Sequence, residues 1–278
     1  MIGSVADTAL WTASLSAIEA GRRDAAFIDP FAELLAGEAG RKIARAMAPA
    51  AVVGWGMVVR TSAIDRLLDE AVQAGVDLIL NLGAGMDTRP YRMKLPSSLR
   101  WVEVDLPAIV ELKDSRLQDH RPVCRVERVA MNLLVREDRR RLFAELAAHC
   151  RRAIIIAEGV LPYFSNEDAA SLALDIHAHP AFVEWILDFD NAGIRKTPRR
   201  WKKKLKDAPF KFSVEDWFRF FDELGWKAHT VITSAEESMR IGRPFPHVFP
   251  QGLLMRALPP AVSHRVLSAS GAVRLERR

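Results

Sequence analysis

From residue 78 onward, short apolar runs alternate with segments long enough to be helices, and this rhythm restricts the fold more than any other feature of the sequence. The runs fall at 78–82, 100–104, 124–129, 153–157 and 182–189. Strands separated by helices are joined by crossovers, which makes them parallel, and near-continuous apolar strands need cover on both faces. The pattern predicts a doubly wound, mostly parallel α/β sheet. Helical spacing occupies 107–119, 137–150 and 166–178, the last opened by a Ser165-x-x-Asp168 capping box. Upstream, 6–20 and 31–48 read as helices, the second starting after Asp29-Pro30. A third, 60–74, has Ile64, Leu67, Leu68 and Ala71 at i, i+3, i+4 and i+7. Downstream, 213–225 reads as a helix, 227–232 and 253–258 as a closing pair of strands, and the tail from Ala269 as frayed.

With 278 residues, 49% hydrophobic and 27% charged, the chain has the composition of one globular domain. The expected division is a helical cap at 1–60, a core at 61–190, a basic lid at 191–212 and completion of the sheet at 213–278. No run approaches the 18 or so apolar residues of a membrane span, and the N-terminus lacks the basic region of a signal peptide, so the expected location is cytoplasmic with no membrane partner. Cys124 and Cys150 have neither CxxC spacing nor an adjacent histidine, which argues against a metal cage or a disulfide framework.

The formal charge of +5 is concentrated. Arg195, Lys196, Arg199, Arg200, Lys202, Lys203, Lys204 and Lys206 lie together, with Trp201 among them. Such a mixture can bind nucleic acid through phosphates and stacking. A charge run is more often a solvated face, and here it follows the fifth strand, so a lid is the favoured reading and a nucleic-acid partner the disfavoured one.

The segment Leu78-Ile-Leu-Asn-Leu-Gly83-Ala-Gly85-Met-Asp87-Thr88 runs a strand directly into a glycine turn. Glycines there let the backbone pass close to a nucleotide at the carboxyl edge of the sheet, although a glycine pair also serves merely to turn the chain. Asp105, twenty residues after Gly85 at the end of the next run, is placed to accept ribose hydroxyls. A dinucleotide site wants a third glycine where Thr88 stands, and Asp87 would repel a pyrophosphate. Asp87 suits a cationic, phosphate-free cofactor. Arg60 can pair with a carboxylate bidentately, and Glu158 ends the run at 153–157 just before Gly159-Val-Leu-Pro-Tyr163.

Taken together, Asn81-Leu-Gly-Ala-Gly-Met-Asp-Thr88, Glu103-Val-Asp105-Leu-Pro107 and Ala157-Glu158-Gly-Val-Leu-Pro-Tyr163, with Arg60 upstream, resemble the leucine carboxyl methyltransferase family over roughly residues 5–190. The resemblance implies a class I, Rossmann-like methyltransferase fold using S-adenosyl-L-methionine. It implies Arg60 at the donor carboxylate, Gly83 and Gly85 along the methionine portion, Asp105 at the ribose and Glu158 near the amino group, with Asp87 beside the turn as a further cofactor contact from its charge. The family has an acidic residue before leucine at the adenine; here the pair is Asn132-Leu133, whose amide can still accept from the adenine amino group. A basic residue carried near the N-terminus by protein-modifying members has no counterpart, since no Lys or Arg precedes Arg22.

Thr8-Ala-Leu-Trp11-Thr-Ala, Asp29-Pro-Phe31 and Gly242-Arg-Pro-Phe-Pro are similar to the bacterial branch acting on polyketides and other small molecules. The corresponding expectation is an O-methyltransferase with a small-molecule acceptor, Tyr163 lining the catalytic pocket and, for a phenolic acceptor, His177, His179 or His247 as base. Protein-carboxyl methylation, RNA methylation through 195–206 and a turnover-free cofactor module are the alternatives. Carboxyl against hydroxyl oxygen, and self-association, stay open.

Overall fold

A computed structural model describes residues 5–47, 51–191, 210–246 and 251–278. Three helices lead, α1 (Val5–Ala20), α2 (Ala32–Met47) and α3 (Ala51–Gln73). They are followed by β1 (Leu78–Leu82), α4 (Arg89–Arg92), β2 (Arg100–Asp105), α5 (Pro107–Leu117), β3 (Arg125–Ala130), α6 (Arg136–Ala148) and β4 (Ala153–Ala157). A short 3-10 turn (Leu161–Tyr163), α7 (Asn166–His177) and β5 (Phe182–Asp190) complete the parallel part. The chain then runs through α8 (Trp217–Asp222), β6 (Trp226–Thr233), α9 (Ser234–Arg240), α10 (Gln251–Ala257), α11 (Pro260–Leu267) and β7 (Ser270–Arg277).

The seven strands lie in the order β3-β2-β1-β4-β5-β7-β6. β1 to β5 are parallel, with Leu80 opposite both Val102 and Ile155, and β7 is antiparallel to β5 and β6. Strand order reverses between β1 and β4, so their carboxyl ends splay apart around a crevice, the place where open α/β sheets bind ligands. β1 and β4 are buried at every residue. Leu78, Leu80, Leu82, Ile155 and Ala157 face a core shared with Phe143, Leu172, Phe221 and Trp226. Ile79, Ile154 and Ile156 face Ile64, Leu67 and Leu68 of α3.

α1 and α2 pack closely over α5 and the first turns of α3. Gly40 permits that approach, because a Cβ there would sit 2.6 Å from the Leu10 carbonyl and 2.7 Å from Ser14 Oγ. Among the described residues no helix is long and apolar enough to cross a membrane.

Four boundaries differ from expectation. The tail from Ala269 is not frayed. It forms β7 between β5 and β6, with Ala272, Val273 and Leu275 fully buried. Residues 253–258, expected as a strand, lie in or just after the helix α10. Leu, Met, Arg and Ala are strong helix formers without β-branching, Leu253 and Leu254 are exposed, and β7 already fills the place in the sheet. The helix expected at 213–225 contracts to α8, capped by Asp216 accepting from the Arg219 N–H. The helix expected from Arg60 begins at Ala51, so Arg60 lies mid-helix and the 60/61 boundary cuts through α3. Gly54 and Gly56 weaken the helical signal, and packing against α1 overrides their propensity. The basic residues 195–206 lie outside the described residues.

The capping box of α7 forms as the sequence predicts: Ser165 Oγ accepts from the Asp168 N–H at 3.1 Å, and Asp168 accepts from the Ser165 N–H at 3.3 Å. Ser165→Ala is expected to lower stability by about 1 kcal/mol. A shift of the urea midpoint with an unchanged m-value would be the readout.

Candidate active site

The chain leaves β1 at Leu82 and turns at once. The Gly83 and Ala84 N–H groups donate to the Val104 carbonyl, at 2.7 and 3.2 Å, tying the turn to the end of β2. Gly83 has φ 64°, and a Cβ there would lie 2.4 Å from Val160 Cγ2, so both backbone and space demand glycine. Gly85, at φ 50°, donates its N–H to Asp105 Oδ2 at 2.6 Å, while the Leu106 N–H donates to Oδ1 at 2.7 Å. Each Asp105 oxygen therefore keeps a lone pair for another donor. Burial pushes the Asp105 carboxyl up, outweighing these two N–H groups.

Beside this cradle lies a compact ionic network. Arg89, its side chain only 3% exposed, sends Nε to Asp65 (2.6 Å), Nη1 to Asp87 (2.8 Å) and Nη2 to Glu158 (2.8 Å). Arg60 Nε donates to Glu158 (2.9 Å) and its Nη1 reaches Asp188 at 3.4 Å. Arg92 pairs with Asp65 at 2.7 Å. Three guanidiniums thus face four carboxylates, a formal sum of −1. Asp87 is further held by the Asn81 amide at 2.8 Å. Burial works to raise Asp87 and Glu158, but Arg89 above all pulls both below the usual carboxylate range. Asp188 goes the other way: its burial outweighs Arg60 and the Gly159 N–H, which donates to Oδ1 at 2.7 Å, and its carboxyl is pushed up.

Of the residues singled out from sequence, Arg60, Gly83, Gly85, Asp87, Asp105 and Glu158 converge on the carboxyl ends of β1, β2 and β4. Glu158 and Asp87 are both engaged with arginines, so they hold the shape and field of the crevice. Thr88, standing where a dinucleotide fold would place glycine, donates to Asp29 at 2.7 Å and ties the turn to the cap. Asn132 is exposed at the end of the β3 loop, its Oδ1 accepting from the Leu134 N–H at 3.0 Å, with Leu133 buried beside it. The Met131 N–H donates to the Asp105 carbonyl at 2.8 Å, which brings that loop next to the β2 carboxylate. Tyr163 is half-buried and packs edge-on against Phe210, ring centres 5.5 Å apart.

The histidine expectations need correction. His177 packs on Trp226 and His179 on Phe182, the first residue of β5, at the opposite edge of the sheet from the glycine turn. His247 lies outside the described residues. Sequence reasoning passed over Arg89, Asp65 and Asp188. For Arg89 a signal existed, since Asp87-Thr-Arg89 follows the glycine turn; for Asp188 it was a lone acid near the end of the apolar strand Trp185-Ile-Leu-Asp-Phe189.

Residues 9–177 match the leucine carboxyl methyltransferase family. The chain belongs to that family. A Streptomyces coelicolor protein, named by inference as an S-adenosyl-L-methionine-dependent methyltransferase, is 38% identical over 179 residues. That match spans 60% of this chain and 62% of the relative, less than two thirds of its length. A Frankia alni protein of the same name is 32% identical over 251 residues, 85% of this chain and 87% of its own. In fold, the family member resembles a DUF574-family structure from Streptomyces avermitilis, with a TM-score of 0.56 at 14% identity over 96% of this chain and 97% of that one. It also resembles a Thermobifida fusca structure named by inference as a methyltransferase, with a TM-score of 0.55 at 18% identity over 88% and 92%. This leucine carboxyl methyltransferase family member has the mostly parallel seven-stranded sheet of class I methyltransferases.

Proposed function

We propose that the chain is an S-adenosyl-L-methionine-dependent O-methyltransferase whose acceptor is a small molecule of the natural-product type, and that the donor lies in the crevice over β1, β2 and β4. The observation that carries the reading is the pairing of a glycine turn, whose N–H groups are taken by Val104 and Asp105, with an ionic network of formal charge −1. A pyrophosphate would find no free amide cradle and a repelling carboxylate. A ligand bearing a sulfonium and an ammonium finds attraction instead.

The residues present fit such a donor. Asp105 has acceptor capacity left for ribose hydroxyls, and the backbone at Gly83 and Gly85 allows close approach. Arg60 would turn a guanidinium edge toward the carboxylate, and Glu158 would face the amino group. Asn132 and Leu133 would border the adenine, the amide offering its second lone pair to the amino group. When bound, the donor supplies an activated methyl group. The protein's task is then alignment of the acceptor oxygen for in-line displacement and exclusion of water, with Tyr163 lining the acceptor side.

Two tests apply. Asp105→Ala is expected to weaken binding of S-adenosylhomocysteine by about 1–3 kcal/mol, roughly 5- to 150-fold, by equilibrium dialysis. Incubation with methyl-labelled donor and parallel pools of small aromatic acceptors, peptides ending in leucine and transfer RNA is expected to label the small molecules. Label confined to peptide or RNA would replace the reading by protein-carboxyl or RNA methylation.

A further inference from the structure

We propose that Asp188 is the general base of this enzyme and that the acceptor presents a hydroxyl on or near an aromatic ring, not a carboxylate; the proposal rests on the methyl-transfer reading above. The glycine turn and Asp105 claim the β1–β2 side of the crevice for the donor, which leaves the acceptor the ends of β4 and β5. Asp188 sits there. Its Oδ1 is held by the Gly159 N–H at 2.7 Å, whereas Oδ2 makes the long 3.4 Å contact with Arg60 Nη1, so Oδ2 is the oxygen with more room for a proton. The side chain is 19% exposed, enough for contact with a ligand.

The ionisable groups facing it are Arg60 from α3, Glu158 at the end of β4 and Tyr163 from the 3-10 turn, and β7 places Ala272 opposite it. A second carboxylate arriving here would meet Glu158 and Asp188. Among the described residues, the nearby arginines are already committed: Arg89 to three carboxylates, and Arg60 to two plus the donor. A neutral hydroxyl meets no such repulsion and needs a base, and Asp188 is a carboxylate in contact range whose burial pushes its carboxyl up, which strengthens it as a proton acceptor. The half-exposed Tyr163–Phe210 pair supplies an aromatic wall alongside.

In the step itself, the acceptor oxygen forms its bond to the methyl carbon as the carbon–sulfur bond breaks and sulfur keeps the electron pair. The hydroxyl proton passes to Asp188 Oδ2 and from there to solvent. No oxidant or second co-reactant is required.

The test uses the full chain with labelled donor and matched pairs of probes, naphthols against naphthoic acids and simple phenols against benzoic acids. Ethers retain the label in alkali and esters release it as methanol. The expected result is alkali-stable label, with Asp188→Asn lowering kcat by about 100-fold or more and removing the acidic limb of the pH profile, while its affinity for S-adenosylhomocysteine stays within about twofold of wild type. That affinity also reports folding, and the isosteric amide can still accept from Gly159. Alkali-labile product, an unchanged kcat in Asp188→Asn, or no turnover of any hydroxylated probe by protein that binds S-adenosylhomocysteine would each overturn the proposal. Failure of the wild type to bind S-adenosylhomocysteine would instead overturn the reading on which it rests.

Discussion

Arg89→Met is expected to lower stability at pH 7 by about 3–5 kcal/mol and to abolish measurable donor binding. Arg89 is 3% exposed and divides its donors among Asp65, Asp87 and Glu158. Methionine replaces the stem and removes the charge, so three partly buried carboxylates lose their shared partner and repel one another. The pH dependence carries a sign that can be checked. Asp87 and Glu158 are lowered in the folded protein because Arg89, foremost among the attractive groups, overcomes the burial that would raise them. Carboxyls lowered by folding contribute stability above their unfolded values, near pH 4, and lose it as pH falls through the folded values. Without Arg89 burial prevails and both carboxyls rise. Their protonation then relieves the variant, so its deficit in urea titrations should be largest at pH 7 and shrink toward pH 4. Adding Glu158→Gln should recover part of the loss at neutral pH, a coupling of the kind double-mutant cycles detect.

Glu103→Gln is expected to act on a second buried ionic contact, on β2 two residues before Asp105. Glu103 and Lys113 are each 2% exposed at the side chain, with Lys113 Nζ 2.9 Å from Glu103 Oε2 and Arg128 Nε 2.8 Å from the same oxygen. The neutral amide takes the nearest counter-charge away from a buried ammonium, at about 3–5 kcal/mol. For a chain of this size that is a fall in melting temperature of roughly 10 °C. Glu103→Gln combined with Lys113→Met should melt well above the single variant, because the stranded charge is gone. A single-variant shift of under about 2 °C would mean that Lys113 finds solvent or another partner.

Much of the sheet was legible because its signal is local. In β1 and β4 every residue is buried, and the predicted limits 78–82 and 153–157 are the observed ones. That Gly83, Gly85 and Asp105 lie together at the carboxyl edge of the sheet was legible for the same reason: they sit at fixed offsets from strand ends. β7 was not, since its place is defined by its partners β5 and β6, which its own local pattern does not reveal. α10 was misread because Leu253-Leu-Met255 is apolar in either state, and only its exposure distinguishes a helix outside the core from a strand inside it.

In the site, Arg60 and Glu158 were visible singly, but that both belong to one network with Arg89 and Asp188 depends on contacts between residues as far apart as Arg60 and Asp188. No spacing encodes them. The histidines misled because their chemistry suits a base while their positions, beside Trp226 and Phe182, are set by packing at the wrong edge of the sheet.

The measurement that bears most directly on the donor-binding claim is calorimetric titration of the wild-type protein with S-adenosylhomocysteine and, separately, with NADH. Saturable one-site binding of S-adenosylhomocysteine, with NADH silent at the same concentrations, is the expected result. Binding of NADH in preference, or of neither ligand by folded protein, would contradict the assignment of the glycine turn, Asp105 and the Arg60–Arg89 network to a methyl donor.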